Sequence, residues 1–271
     1  MDAEIYQWKK QPVLEQDGVI VGCTQSQEWL LPWWWMHYSI HNEYPVIFFD
    51  FGDMSPQAKD WCARKGRLAN VSMPKESFVA PREKVPADVA AVWNLHKDLD
   101  TYKVRLEWFK KPFVCLQSFF KRAIWIDLDC QVRKSIAPMF IACENPFGIA
   151  IVEEPAVILQ NHENSGLIQK GEMEYNTGVF VFQHGSFIMQ DWAKLCVESN
   201  HILRGDQEAI SRMALLKGIT LPSLPPIYNQ RWHLSVDPSA VIIHFLGSGK
   251  KCIQFQIQFL RDKFAIDFSF P

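Results

Sequence analysis

Ala123-Ile124-Trp125-Ile126-Asp127-Leu128-Asp129-Cys130-Gln131 decides how the rest of the chain is read. An apolar run ends in two carboxylates separated by one residue. Such a run reads as a buried strand over 124–126. Residues i and i+2 of a strand point to one side, so Asp127 and Asp129 at its C-terminal end can converge on one hard cation. Mg²⁺ and Mn²⁺ take oxygen ligands and keep positions open for phosphates. A strand that ends in a solvated acidic turn has the same spacing, so the remainder of the chain must decide.

Upstream, strands and helices alternate. Apolar runs at 18–24, 45–49 and 68–72 read as strands, and 28–42 and 55–65 as helices. Pro32 suits a first helical turn; Ser55, Pro56 and Gly66 fit an N-cap, a first helical position and a stop. This alternation predicts an α/β fold with a largely parallel sheet. Segment 73–86, with Pro74, Pro81 and Pro86, reads as a surface excursion. Helices are expected at 87–97, 103–109, 112–120, 137–142, 187–198 and 206–217. Further strands are expected at 147–152, 179–182, 219–221 and 241–245, and a loop at 161–174. No internal repeat appears, so a single domain over 1–271 is expected.

Of 271 residues, 48% are hydrophobic, enough for a large core, and the net charge is −2. With no dense Lys/Arg block, nucleic-acid binding lacks electrostatic support. No apolar stretch reaches the roughly 18 residues of a membrane span. The polar start, 1–17, does not read as a signal peptide. The seven cysteines are scattered, without a Cys-x-x-Cys pair. They read as buried, reduced thiols in a reducing, cytoplasmic setting.

Four further segments stand where a diphosphate site would need them: Tyr175-Asn176-Thr177-Gly178, Arg204-Gly205-Asp206-Gln207, His244-Phe245-Leu246-Gly247-Ser248-Gly249-Lys250, and Lys111 one helix upstream of Asp127. With Asp127-Leu128-Asp129 these resemble, in order over roughly 18–250, the retaining, metal-dependent nucleotide-sugar transferases of family 8. That family includes glycogenin and the lipopolysaccharide galactosyl- and glucosyltransferases. The resemblance implies a GT-A fold, a Rossmann-like mixed sheet flanked by helices, a UDP-sugar donor and Mn²⁺ or Mg²⁺. It implies a nucleotide-binding half at 18–130, a donor-sugar and acceptor half at 131–250 and a tail at 251–271. Asp127, Asp129 and His244 match the family's metal ligands. Thr24, Lys111, Asp127, Asn176, Gly178, Gly247 and Lys250 match positions that contact the donor, and Asp206 and Gln207 match the pair beside the anomeric carbon.

Each position also has a plainer reading. Thr24 can be an ordinary loop residue, Lys111 a solvated helix-end lysine, Asn176-Thr177-Gly178 a turn and Asp206 a helix N-cap. Asp50 and Asp53 either face the nucleotide or form a turn. The family continues with Pro-Trp after its lysine, whereas Lys251-Cys252 follows here. Trp33-Trp34-Trp35 has no assigned counterpart. Three successive helical residues do not all face one core, so one or two should pack on the sheet, leaving the remainder for a partner, a membrane surface or an acceptor sugar.

The resemblance implies transfer with retention. Asp206 is the candidate nucleophile of a double displacement; in a front-face substitution Asp206 and Gln207 would steady the cationic sugar. The second route is preferred, since Gln207 is a poor nucleophile. Three rivals are weighed. A haloacid-type phosphatase wants Thr or Val where Gln131 stands. A sugar nucleotidyltransferase wants a glycine-rich basic loop where Cys23-Thr24-Gln25-Ser26-Gln27 stands. A non-catalytic nucleotide-sugar-binding protein is disfavoured by the intact Asp127, Asp129, His244 and Lys250. The sugar, the acceptor (glycan, lipid or protein) and the oligomeric state are not encoded in these motifs.

Overall fold

A computed structural model describes residues 14–73, 78–95 and 101–270. A six-stranded sheet has the order β3-β2-β1-β4-β7-β6. Its strands are β1 (Leu14–Cys23), β2 (Val46–Asp50), β3 (Arg67–Asn70), β4 (Phe120–Ile126), β6 (Ile149–Glu153) and β7 (Tyr175–Gln183). The first four run parallel, and β7 is antiparallel to both β4 and β6. A small second sheet joins β5 (Cys130–Val132), β9 (Ile242–His244) and β8 (Gln230–Arg231), in that order.

Alternation along the strands separates two apolar layers. Val19, Val21, Ile124 and Ile126 face one side with α1 (Leu31–Ser39), α2 (Pro56–Lys65) and α9 (Lys250–Phe264). Ile20, Ala123 and Trp125 face the other, with α4 (Thr101–Leu116), α7 (Phe187–Ser199) and α8 (Asp206–Lys217). Between them along the chain lie α3 (Ala87–Leu95), α5 (Met139–Ala142) and α6 (Ala156–Asn164). Ser55 caps α2 as its sequence suggested, accepting from the Ala58 N–H at 3.2 Å, a contact worth about 1 kcal/mol.

Several expectations change. The helices expected at 103–109 and 112–120 are one, α4, with Pro112 inside it. The missing N–H is offset by burial on both sides of the break, at Phe109, Phe113 and Val114. Gln117 ends α4 by donating to the Phe113 carbonyl at 2.8 Å and tying to the backbone of Ser72, so β4 starts at Phe120. The 28–42 segment is a 3₁₀ turn, Glu28–Leu30, followed by the shorter α1. The loop expected at 161–174 begins inside α6. No strand forms at 219–221; Ser223 bridges Ile151 instead. Residues 74–77 of the excursion and 96–97 of the expected 87–97 helix lie outside the described residues.

Much of the segment read as a tail is α9, and it alters the reading of the tryptophans. Trp33 and Trp34 are fully buried and Trp35 is half-buried in the same apolar layer. Trp33 turns to α9, donating to Gln256 Oε1 at 3.3 Å, while Trp35 meets Trp61 edge-on. With partners on both sides of α1, all three find one core.

Candidate active site

The parallel strands end beside one cleft of about 360 Å³, the usual place for a ligand on an open α/β sheet. Because β7 runs against β4, its start lies beside the end of β4. The Asp127 N–H donates to the Gly178 carbonyl at 2.8 Å, placing Asn176, Thr177 and Gly178 next to the first aspartate. The second sheet brings in the histidine: Cys130 pairs with His244, and the Phe245 N–H donates to the Asp129 carbonyl at 2.8 Å.

Asp127, Asp129, His244 and Lys250 therefore converge. His244 Nε2 lies 3.2 Å from Asp129 Oδ1 and 3.9 Å from Asp127 Oδ2, and Lys250 Nζ lies 2.9 Å from Asp129 Oδ2. Asp127 takes a 2.6 Å hydrogen bond from the Trp125 indole. Burial, with Asp129 nearby, pushes the Asp127 carboxyl up against the pull of Lys111 and His244. Burial would also raise Asp129, but Lys250 and His244 outweigh it and hold that carboxyl well below the usual range.

The hydrogen-bond network fixes how His244 presents itself. The Gly178 N–H donates to Asn176 Oδ1 at 2.9 Å, so that atom is the acceptor. Asn229 faces the same oxygen at 2.8 Å and must do so with its NH₂. Its Oδ1 then accepts from His244 Nδ1 at 3.0 Å, so Nδ1 carries a proton and Nε2 is the nitrogen turned to the aspartates. Nε2 faces the Asp129 carboxylate at 3.2 Å, and at that distance a proton or a cation lies between the two atoms. Two carboxylates and one imidazole suit Mn²⁺ or Mg²⁺. Cys130 also lies close to Asp129 and His244. Burial, with both aspartates nearby, holds its thiol well above its ordinary value.

Gly178 is required by this packing. A Cβ there would sit 2.2 Å from His244 Cε1, so a side chain would displace the ring. Gly247, after β9, has φ +60° with open space around it, a left-handed conformation that suits glycine.

Lys111 is not a solvated lysine at a helix end: it is buried within α4. Its ammonium lies 3.1 Å from Asp127 Oδ1, 3.2 Å from Asp206 Oδ2 and 2.9 Å from the Thr177 carbonyl. Burial alone would depress its pKa, but the two carboxylates outweigh that and raise it. Nor does Asp206 act as the N-cap: Gly205 holds that position without a side-chain cap, and Asp206 opens α8. Its carboxylate takes the Thr177 hydroxyl at 2.8 Å as well as Lys111. Gln207 lines the cleft with Asp206.

Thr24 is buried at the end of β1 with its hydroxyl on Ser26, and it does not line the cleft. Asp50 accepts from the N–H groups of Gly52 and Met54 and pairs with Lys59 at 2.7 Å, while Asp53 accepts from the Gln25 N–H. Both serve the turn. Sequence reasoning missed Trp125, Glu154, His162, Glu174, Asn229 and Arg231, all bonded into the site. Glu154 and Glu174 stood at a strand end and in an expected loop, and Asn229 and Arg231 carry no local signal.

Glu208, in the first turn of α8, also lines the cleft. Burial pushes its carboxyl up to about 8, aided by Glu172 and Glu174 and opposed by the Arg204 N–H and by Arg212. Its folded value lies above the ordinary 4.5, so the stability it contributes is present at low pH. That contribution is lost at up to about 1.4 kcal/mol per pH unit as pH rises toward 8. Glu208→Gln is expected to flatten the fall in Tm between about pH 5.5 and 8.5. Parallel Tm profiles for the two proteins would refute this.

No family profile and no curated protein matches the sequence. Among solved structures, galactosyltransferase LgtC, in complex with donor and acceptor sugar analogues, matches with a TM-score of 0.59 at 14% identity, over 86% of this chain and 87% of its own. Glycosyltransferase GlyE of Streptococcus pneumoniae TIGR4 matches at 0.59 and 13% identity, over 94% of this chain and 62% of its own. Mouse xyloside xylosyltransferase 1 matches at 0.52 and 13% identity, over 84% and 97%. At such identities the likeness is one of fold. The chain has the GT-A fold of these glycosyltransferases, and the resemblance drawn from its motifs holds at that level. Among the described residues, no helix is long and apolar enough to cross a membrane.

Proposed function

We propose that the chain is a glycosyltransferase that moves a sugar from a UDP-sugar to an acceptor hydroxyl, with retention and with Mn²⁺ or Mg²⁺. The observation that carries this reading is the placement of Asp127, Asp129, His244 and Lys250 in one cleft with Asp206 and Gln207. The two carboxylates and His244 would hold the cation, which supplies positive charge against a departing diphosphate. Lys250 adds charge on the same side. Asp206 is tied by Lys111 and Thr177, which blunts it as a nucleophile and favours front-face substitution. In that route the leaving phosphate accepts the acceptor's proton, and Asp206 and Gln207 steady the positive charge on the sugar.

The test is a panel of UDP-sugars incubated with the protein, with and without Mn²⁺, read as UDP release. Mn²⁺-dependent release from at least one donor is expected, with the product's anomeric configuration kept. UDP binding without release would favour a non-catalytic binder, and preference for ADP or GDP over UDP would sink the donor assignment.

A further inference from the structure

We propose that Glu154 and Glu174 are positioning residues that lock the Gln207 side-chain amide in one orientation, its carbonyl oxygen turned to the cleft. The proposal rests on the glycosyltransferase reading above. Gln207 Nε2 lies 3.0 Å from Glu154 Oε1 and 2.8 Å from Glu174 Oε1. A primary amide has two N–H hydrogens, and here both are directed to carboxylates. A flipped amide would set its oxygen against two acceptor oxygens and forfeit two charge-assisted hydrogen bonds.

The carboxylates are themselves held. Glu154 takes Arg231 Nε at 2.7 Å, a second bond from the same guanidinium, and Asn176 Nδ2 at 2.7 Å. Glu174 Oε2 pairs with His162 Nδ1 at 2.7 Å. Both glutamates are buried, whereas Gln207 is half-buried on the cleft wall. No described residue bonds its Oε1. The network is continuous from His244 through Asn229 and Asn176 to Glu154 and Gln207. The amide is thus oriented relative to the candidate metal ligands.

The orientation has a chemical consequence. The carbonyl end of the amide dipole faces the space where the sugar becomes cationic. The NH₂ end would oppose that charge. A preorganised dipole acts without reorganising during the reaction.

Two measurements test the pair. In protein labelled with ¹⁵N-glutamine, with the Gln207 signals assigned by their loss in Gln207→Leu, both side-chain amide protons should exchange far more slowly than those of a free glutamine. Glu174→Ala should remove the protection of one. In UDP-release assays Glu174→Ala should lower kcat by about tenfold to a hundredfold, the usual cost of losing an orienting residue behind a site group, with the Kd for UDP and Mn²⁺ unchanged. Glu174→Gln keeps a carbonyl acceptor for Gln207 and should retain most of kcat. A Gln207 amide that exchanges freely in the wild type overturns the proposal, and so does an undiminished kcat in Glu174→Ala. Parallel loss of UDP affinity in both variants also overturns it, marking a structural role only. A protected amide in a wild-type protein that turns over no nucleotide sugar overturns the glycosyltransferase reading and leaves the locked amide standing.

Discussion

Asp129→Ala is expected to weaken Mn²⁺-dependent UDP binding by more than about 100-fold, since even residues that only support a metal's ligands cost 10–100-fold. Asp129 is engaged at both oxygens: His244 and Lys250 each approach one of them, at 3.2 and 2.9 Å. Removing it deprives His244 Nε2 of the carboxylate it faces, and Asp127 would be the remaining anionic ligand. The fold should survive, because the Lys250 side chain is 33% exposed and can turn to water. Calorimetric titration of UDP with and without Mn²⁺ makes the test. Equal metal-dependent affinity in the variant and the wild type would remove Asp129 from the metal site.

Lys111→Met is expected to act on the fold as well as on the site. The buried ammonium is shared by Asp127 and Asp206 and is bonded to the Thr177 carbonyl. Methionine fills much of the space but leaves two carboxylates without their common cation. Breaking a buried ion pair by deleting one partner costs about 3–5 kcal/mol. For a chain of this size that corresponds to a Tm fall of roughly 10 °C. Adding Asp206→Asn should return part of that loss, because it removes one of the two uncompensated charges. A double variant as unstable as the sum of the singles would show that Lys111 does not bridge these groups.

The motifs were legible where chemistry and local structure coincide. The strand ending in Asp127, the Asn-x-Gly before a strand and the Asp-Gln opening a helix each combine a backbone signal with a polar residue at the sheet's carboxyl edge. The plainer readings of Lys111 and Asp206 came from the same local logic and gave way to contact between α4, β4 and α8. The helix expected to stop before Pro112 continued through it because burial of Phe109 and Phe113 outweighs one lost hydrogen bond. Loop 161–174 hid Glu174 because nothing in a loop's composition says which residue turns inward.

By itself the sequence determined the alternation of apolar runs and turn signals, and from it the α/β class, the strand-end aspartates and the candidate cation chemistry. Those features are local: periodicity, capping residues and spacings of one or two positions. Only the tertiary structure decided that a two-residue strand and a three-residue strand flank β9 and set His244 against Asp129. Only it decided that Trp33 turns to α9 while Trp35 meets α2, and that Glu154, Glu174, Asn229 and Arg231 close a hydrogen-bond network around Gln207. Strands this short have no periodicity to read. Bonds spanning 15 to 77 residues, from His244 to Asn229 and from Arg231 to Glu154, form only because packed layers bring their ends together.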